Sequence, residues 1–227
     1  MKSSIGFSAL LLVLVFGCTK DQSITSPAPD DQIQKPSDMY AISFSGNPQY
    51  PVKTISWEEI QKAGNTSSGK VQLRSSSSSV NGHFSPIANP NDPDDLVIVS
   101  LSGVLNNGGV HGHARIKSSF LDFSVNTECL LFDGNEVVYG GVITQVFYVD
   151  PAFIAVFGDI IVPDAHIALK MKDNGEGQNA PADQTTEYFI VGPFPLCDAF
   201  PPESDFWTYV FPLVDVLRES DQIQVSN

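Results

Sequence analysis

The stretch that decides the fold is FLDFSVNTECLLF, residues 120–132, in which apolar and polar side chains alternate along most of its length. The first set is Leu121, Phe123, Val125, Thr127, Cys129 and Leu131, and the second is Asp122, Ser124, Asn126 and Glu128. Successive side chains of a β-strand point to opposite faces of the sheet. The pattern therefore predicts a half-buried antiparallel strand whose first set faces the core.

Turn residues link this strand to others. Asp133-Gly134-Asn135 leads into EVVYGGVITQVFYV (136–149), and NNGG (106–109) joins LVIVSLSGV (96–104) to VHGHARIK (110–117), which predicts two consecutive hairpins. Further strands are predicted at 80–85, 154–159, 166–172, 186–191, 206–211 and 222–225. The sequence thus predicts one all-β domain over residues 80–227, an antiparallel β-sandwich or barrel of about 8–9 strands.

The N-terminus has the features of an export signal. Residues 1–17, MKSSIGFSALLLVLVFG, combine a charged start with an apolar run too short for a permanent bilayer span. The segment LVFGC (14–18) resembles the lipobox of bacterial lipoproteins, which implies acylation of Cys18, with palmitate or a similar chain, and attachment to a membrane of the cell envelope. Thr19 after the cysteine then implies outer-membrane sorting. The alternative is an ordinary signal peptide in which Cys18 is incidental.

Residues 18–79 are rich in Ser, Pro, Gln and Asp and poor in apolar side chains, which predicts a disordered tether. Ser56-Trp57-Glu58-Glu59 is a capping-box pattern and Gly64 is a stop signal, so a short helix is predicted at 57–63.

Three cysteines are present. If Cys18 is acylated, Cys129 and Cys197 remain as one pair in an oxidising compartment, which predicts a disulfide. Two separate buried thiols are the alternative. A cysteine metal site would need further Cys or His ligands nearby, and neither residue lies in a CxxC motif.

The net charge of −14, without a Lys/Arg cluster, argues against nucleic acid and anionic lipid head groups as partners. Two acidic segments are candidate sites for Ca²⁺ as a cofactor: Asp92, Asp94 and Asp95 in NPNDPDD, and Asp173, Glu176 and Asp183 in KMKDNGEGQNAPADQ (170–184). The alternative is that both segments simply form turns. The second is not an EF-hand, because its alternate positions are glycines and its twelfth residue is Gln184.

Other candidate sites involve histidine and aromatic residues. His111 and His113 share a strand face, but the pattern of a cupin metal site does not continue after them, so a solvent-facing pair is the alternative. A strand at 206–211 would present Trp207, Tyr209 and Phe211 to a saccharide or peptide, unless these aromatics fill the core. No nucleophile elbow or HExxH motif is present. The sequence favours a non-enzymatic binding or structural module of the envelope, with a hydrolase that uses paired carboxylates as the alternative.

The succession GHARI, ECLLFDGNEVVYGGVIT, KMKDNGEGQNAPADQ, a late cysteine and DQIQV resembles a group of secreted bacterial proteins and lipoproteins without an assigned activity. The likeness covers residues 80–227 and implies an all-β domain with Cys129 paired to Cys197. Glu128 replaces the threonine usual in the group, and residues 147–163 look like an insertion.

Overall fold

The computed structural model describes residues 38–44, 53–55, 77–85, 88–89, 92–107, 109–176, 180–197, 199–204, 206–207, 211, 213–216 and 222–226. The chain divides into Met1–Gln32 and Ile33–Asn227, and all described residues belong to the second unit. The elements are β1 (Met39–Ser43), β2 (Lys53–Ile55), β3 (Ser78–Phe84), β4 (Ala88–Asn89), β5 (Asp92–Leu96), β6 (Ile98–Asn106), β7 (Gly109–Lys117), β8 (Leu121–Asp133), β9 (Glu136–Val149), α1 (Pro151–Phe157), β10 (His166–Lys172), β11 (Gln184–Thr186), β12 (Tyr188–Gly192), β13 (Leu213–Asp215) and β14 (Gln222–Ser226).

One antiparallel sheet holds twelve of these strands, in the order β14-β3-β6-β7-β8-β9-β10-β12-β1-β2, with β11 beside β10 and β13 beside β11. The strands β4 and β5 form a separate pair. The all-β prediction is confirmed, and the sheet is an antiparallel half-barrel.

The curl of the sheet follows from its core. Val80 and Ile223, near one end of the strand order, belong to the same buried cluster as Ile42 and Val191 near the other end. A flat sheet could not bring these side chains together. Removal of apolar surface from water therefore favours a sheet that wraps its concave face around one inner core.

Strand β8 has both faces buried because of a β-bulge. Leu121, Phe123 and Val125 face the inner core as predicted, but the register shifts between Thr127 and Cys129. One extra residue turns every later side chain to the opposite face. The prediction for Cys129 and Leu131 is therefore wrong: both contact the outer layer of the sheet, and it is Leu130 that returns to the inner core.

The outer layer is made by the segment 193–211, which we call the C-terminal cover. Its described apolar side chains pack on Val138, Ala168 and Ile190 on the convex face of the sheet. The predicted disulfide between Cys129 and Cys197 is confirmed and joins the cover to β8. It crosses directly over Gly140, where a Cβ atom would lie 2.5 and 2.7 Å from the two sulfurs, so a side chain at 140 would displace the disulfide.

The strand predicted at 154–159 is wrong. Asp150 caps the helix α1 by accepting a hydrogen bond from the Ala152 N–H, Pro151 starts it, and Gly158 at φ 73° ends it. Phe153 enters the inner core. These capping residues outweigh the β-propensity of the apolar run.

The domain boundary also differs from the prediction. The strand β1 lies inside the segment expected to be tether and pairs with β12 through Tyr40↔Val191 and with β2 through Tyr40↔Thr54. Its side chains are buried on both faces, with Ile42 in the inner core and Ala41 in the outer layer. Residues 1–37, with Cys18, and the predicted helix 57–63 lie outside the described residues. No described helix is long and apolar enough to cross a membrane.

Candidate functional site

An open pocket of about 420 Å³ lies between the β8–β9 turn and the C-terminal cover. Asp133 and Glu136 flank the turn, Lys170 comes from the convex face of β10, and the cover and β13 supply the remaining wall. The lining residues are Asp133, Glu136, Lys170, Pro202, Glu203, Trp207 and Leu213. Its size is within the range of pockets that bind small ligands.

Lys170 forms the floor of the pocket. Its side chain is only 9% exposed, and its Nζ donates to the Pro202 carbonyl at 2.7 Å and contacts Glu136 Oε2 at 2.6 Å. An ammonium group has three N–H donors. Two of them have partners among the described residues, and the third has none there.

Glu136 lies between two lysines, since Lys172 Nζ contacts its Oε1 at 3.3 Å. Burial by itself would raise the pKa of Glu136, but the hydrogen bonds and charges of Lys170 and Lys172 together outweigh burial and lower it. Glu136 is therefore ionised at neutral pH and compensates the buried ammonium of Lys170.

Asp133 and Glu203 are exposed at the mouth of the pocket, and neither forms an ion pair with a described residue. Because Glu136 is already paired with lysines, these two carboxylates leave the mouth with excess negative charge. Such a mouth attracts a cationic group and repels an anionic one.

The aromatic strand expected at 206–211 is wrong in its described part. Phe206 and Trp207 have helical backbone, and Trp207 is 2% exposed. The Trp207 Nε1–H donates to the carbonyls of Phe200 and Pro201. Phe211 is buried with them, while Tyr209 lies outside the described residues. Trp207 and Phe211 thus belong to the core, the alternative reading of the sequence, and only part of Trp207 reaches the pocket wall.

The acids of KMKDNGEGQNAPADQ contact β14. Asp183 Oδ2 accepts a hydrogen bond from the Ile223 N–H at 2.7 Å, and Asp173 Oδ2 accepts one from the Val225 N–H at 2.8 Å. Glu176 accepts from the side-chain amides of Gln222 and Gln224. We call Asp173, Glu176 and Asp183 the carboxylate clasp.

The remaining oxygens of the two aspartates are also occupied, because Asp173 Oδ1 accepts from the Gly175 N–H and Asp183 Oδ1 from the Asn174 N–H. Every carboxylate oxygen of the clasp therefore has a donor. Burial raises the pKa of Asp183, the charges of Asp173 and Glu176 raise it further, and the two backbone hydrogen bonds oppose this shift. The three carboxylates accept hydrogen bonds from β14 and so hold that strand, whereas the sequence suggested a Ca²⁺ site.

The other candidate metal ligands lie on β5 and β7. Asp92, Asp94 and Asp95 lie in β5, where the sequence predicted a turn, and their side chains are outside the described part of the structure. His111 and His113 are exposed on β7, with the His113 Nδ1 3.3 Å from Ser102 Oγ. The described residues contain no group of three or more His, Cys, Asp or Glu side chains that could hold a metal ion.

The sequence reading missed the pocket residues Asp133, Glu136, Lys170 and Glu203. One available signal was Lys170 itself, a charged residue between the apolar residues of HIALKMK. It also missed the contact of His166 Nδ1 with Glu128 Oε2 at 2.6 Å, which depends on the bulge in β8.

Comparisons of the chain with known protein families, curated protein sequences and solved structures give no match.

Proposed function

We propose that the protein is a lipid-anchored, non-enzymatic binding module of the bacterial cell envelope whose pocket holds a small hydroxylated ligand with a positively charged amine, such as an amino sugar. The observation that carries this proposal is the pocket itself, which combines a nearly buried Lys170 at the floor with two carboxylates, Asp133 and Glu203, that form no ion pair with a described residue.

The chemistry of the lining matches such a ligand. Asp133 and Glu203 offer acceptors for hydroxyl and ammonium groups, and the third N–H of Lys170 offers a donor to a ligand oxygen. Leu213 and Pro202 provide apolar wall for the C–H face of a ring. The arrangement favours a cationic sugar over a neutral one and disfavours a sugar acid.

The anchor belongs to the same proposal. Acyl chains on Cys18 attach the domain to the outer membrane, and the chain after Cys18 links them to β1. Intact mass of the membrane-extracted protein tests this directly, because acylation adds the mass of the lipid to a chain that begins at Cys18. A soluble chain of unmodified mass would contradict the anchor without affecting the pocket.

Thermal unfolding with a matched set of sugars tests the ligand class. At a concentration of about 100 times its Kd, a bound ligand stabilises a protein by about 2.7 kcal/mol. We therefore expect glucosamine to raise the Tm by about 5–10 °C, glucose to raise it less, and glucuronate to leave it unchanged.

The double variant Asp133→Asn with Glu203→Gln should abolish the shift with glucosamine. The matched control, Asp159→Asn with Asp164→Asn, removes the same charge from exposed positions outside the pocket and should keep the shift. Equal shifts with all three sugars, or equal loss in both double variants, would refute the proposed ligand class.

Three carboxylates in one concavity also favour a glycoside hydrolase as a second candidate. A general acid needs a raised pKa, however, and the pKa of Glu136 is lowered. Hydrolysis would then rest on Asp133 and Glu203. Release of nitrophenol from nitrophenyl glycosides, lost in the Asp133→Asn and Glu203→Gln variants, would favour the hydrolase over the binding module.

A further inference from the structure

The connection between β9 and β10 exposes apolar side chains to an unusual degree. The helix α1, PAFIAVF, contains no polar residue, and Phe153 is its one buried side chain. Val156 is 59% exposed and Ile154 40%, while Phe147 and Tyr148 just before the helix are 47% and 45% exposed. We call Phe147, Tyr148, Ile154 and Val156 the apolar end.

These residues are concentrated in one place. They are four of the six large hydrophobic side chains that the described residues expose, and they lie within ten residues of sequence. The Tyr148 hydroxyl donates to Asp150, the N-cap of α1, so the aromatic side chain is attached to the start of the helix. A helix that faces water normally carries polar side chains on that face. An exposed apolar surface of this kind is characteristic of an interaction site.

The topology places the apolar end and the start of the described chain towards the same end of the sheet. The strands β9 and β12 run in one direction, and β10 and β1 run in the other. The end of β9, the end of β12 and the start of β1 at Met39 therefore lie at the same end of the sheet. A Cβ atom added at Gly192, the last residue of β12, would lie 3.0 Å from Met39 Cγ. The first described strand thus begins at the end of the sheet that carries α1.

From these positions we infer that the apolar end is a membrane contact that inserts into the interface of the bilayer to which the domain is tethered. The inference rests on the proposed anchor at Cys18. The 21 residues from Cys18 to Asp38 can span about 65 Å when extended, so the tether by itself leaves the orientation of the domain open. Insertion of Ile154 and Val156 fixes it, with the sheet end that carries α1 against the lipid.

The charges around the apolar end define the kind of lipid surface. Asp150 is occupied by the Ala152 N–H and the Tyr148 hydroxyl, and Asp159 follows the helix. Arg115 lies over the Phe147 ring at 4.6 Å but is paired with Asp122. No excess of positive charge faces the membrane, so the contact is apolar and favours zwitterionic lipid. Aromatic residues such as Tyr148 are typical of such interfaces.

Flotation with phosphatidylcholine vesicles tests the inference. The protein used is residues 19–227, exported behind a cleavable signal so that Cys129 and Cys197 can pair. It lacks Cys18 and the apolar signal but keeps every described element. Its binding is therefore independent of acylation, and failure of the anchor proposal is distinguishable from failure of this inference.

We expect the wild-type chain to float with the vesicles and the Ile154→Asp, Val156→Asp double variant to bind about tenfold less lipid. The matched control is Val104→Asp with Asn107→Asp, at exposed positions close to the β6–β7 turn and away from Tyr148, and it should bind like the wild type. Added phosphatidylglycerol should not strengthen binding.

Three results would overturn the inference. The wild-type chain does not float, the two double variants lose binding equally, or sedimentation shows a dimer that depends on Ile154 and Val156 while vesicles are ignored. The last result would make the apolar end a contact between two copies of the chain. Near-ultraviolet circular dichroism of each variant verifies that the fold is retained.

Discussion

Two connections meet β10 at its opposite ends and differ in polarity. Residues 150–165 enter the strand and contain the uncharged helix α1, whereas residues 173–183 leave it and contain the carboxylate clasp. The apolar connection exposes Ile154 and Val156 to solvent. The acidic connection turns Asp183 inwards, where it is 8% exposed. At Ile154, Val156 and Asp183 the polarity of the side chain thus does not predict its exposure.

The cause lies in what each connection must contact. The strand β14 is the last in the sheet order, and the N–H groups of Ile223 and Val225 have no further strand beside them in the described part of the chain. Buried N–H groups need acceptors, and Asp173 and Asp183 supply them. At the other end of β10, the Phe153 side chain packs into the inner core. Because α1 is short, its other apolar side chains remain outside that core.

The largest expected effect on stability is at the buried side of α1, and it should contrast with a small effect at the exposed side. Phe153→Ala removes a side chain from the inner core and should lower the free energy of unfolding by about 3–5 kcal/mol. Ile154→Ala, at the neighbouring exposed position, should change it by no more than about 0.5 kcal/mol. Urea unfolding of both variants measures the difference, and equal losses would contradict the assigned orientation of the helix.

The clasp gives the next largest effect. Asp183→Ala leaves the N–H groups of Ile223 and Asn174 without acceptors and should cost about 2–4 kcal/mol. Hydrogen exchange should show faster exchange at the Ile223 and Val225 amides, because β14 loses its outer support. Asp159→Ala, an exposed acid, is the control and should leave these amides unchanged. Unchanged exchange in Asp183→Ala would contradict the role of the clasp.

The pH dependence should distinguish the two connections. A carboxyl group whose pKa is raised in the folded state binds protons more readily there than in the unfolded chain, so stability falls as pH rises through that raised pKa. The loss caused by Asp183→Ala should therefore be smaller at pH 7 than near pH 4. The loss caused by Phe153→Ala should be the same at both values. A clasp variant with a larger loss at pH 7 would contradict the direction of the shift.

The smallest effect is expected at the exposed member of the clasp. Glu176 accepts from Gln222 and Gln224 at 3.2 and 3.3 Å on the surface. Glu176→Ala should therefore cost about 0.5 kcal/mol or less. A loss as large as that of Asp183→Ala would show that the side-chain contacts, and not the backbone acceptors, hold β14.

The fold was largely predictable where a strand has one buried face. The alternation in residues 121–125 and the turn at Gly134 predicted the β8–β9 hairpin, because period-2 burial is a local property of the chain. The conformation of residues 206–211 could not be predicted from such alternation. Phe206 and Trp207 are apolar in any conformation, and their burial in the cover depends on the disulfide and on the convex face of the sheet.

The candidate pocket was not predictable, since its residues are far apart in the chain. Asp133 and Glu136 are brought to Lys170 by the pairing of β9 with β10, and Glu203 reaches them only because the cover folds back over the sheet. None of these residues forms a local motif. Lys170, a charged residue between Leu169 and Met171 in the strand HIALKMK, was the one trace of the pocket in the sequence.

The sequence by itself determined the all-β class, the strands with regular alternation and the pair of cysteines, because these depend on composition and local periodicity. The tertiary structure decided the rest. It converted the acids of residues 173–183 from candidate ion ligands into acceptors for β14, since only the folded sheet creates N–H groups that lack a neighbouring strand. It likewise left most of the apolar helix α1 exposed, because only its Phe153 side chain reaches the inner core while Ile154 and Val156 face solvent.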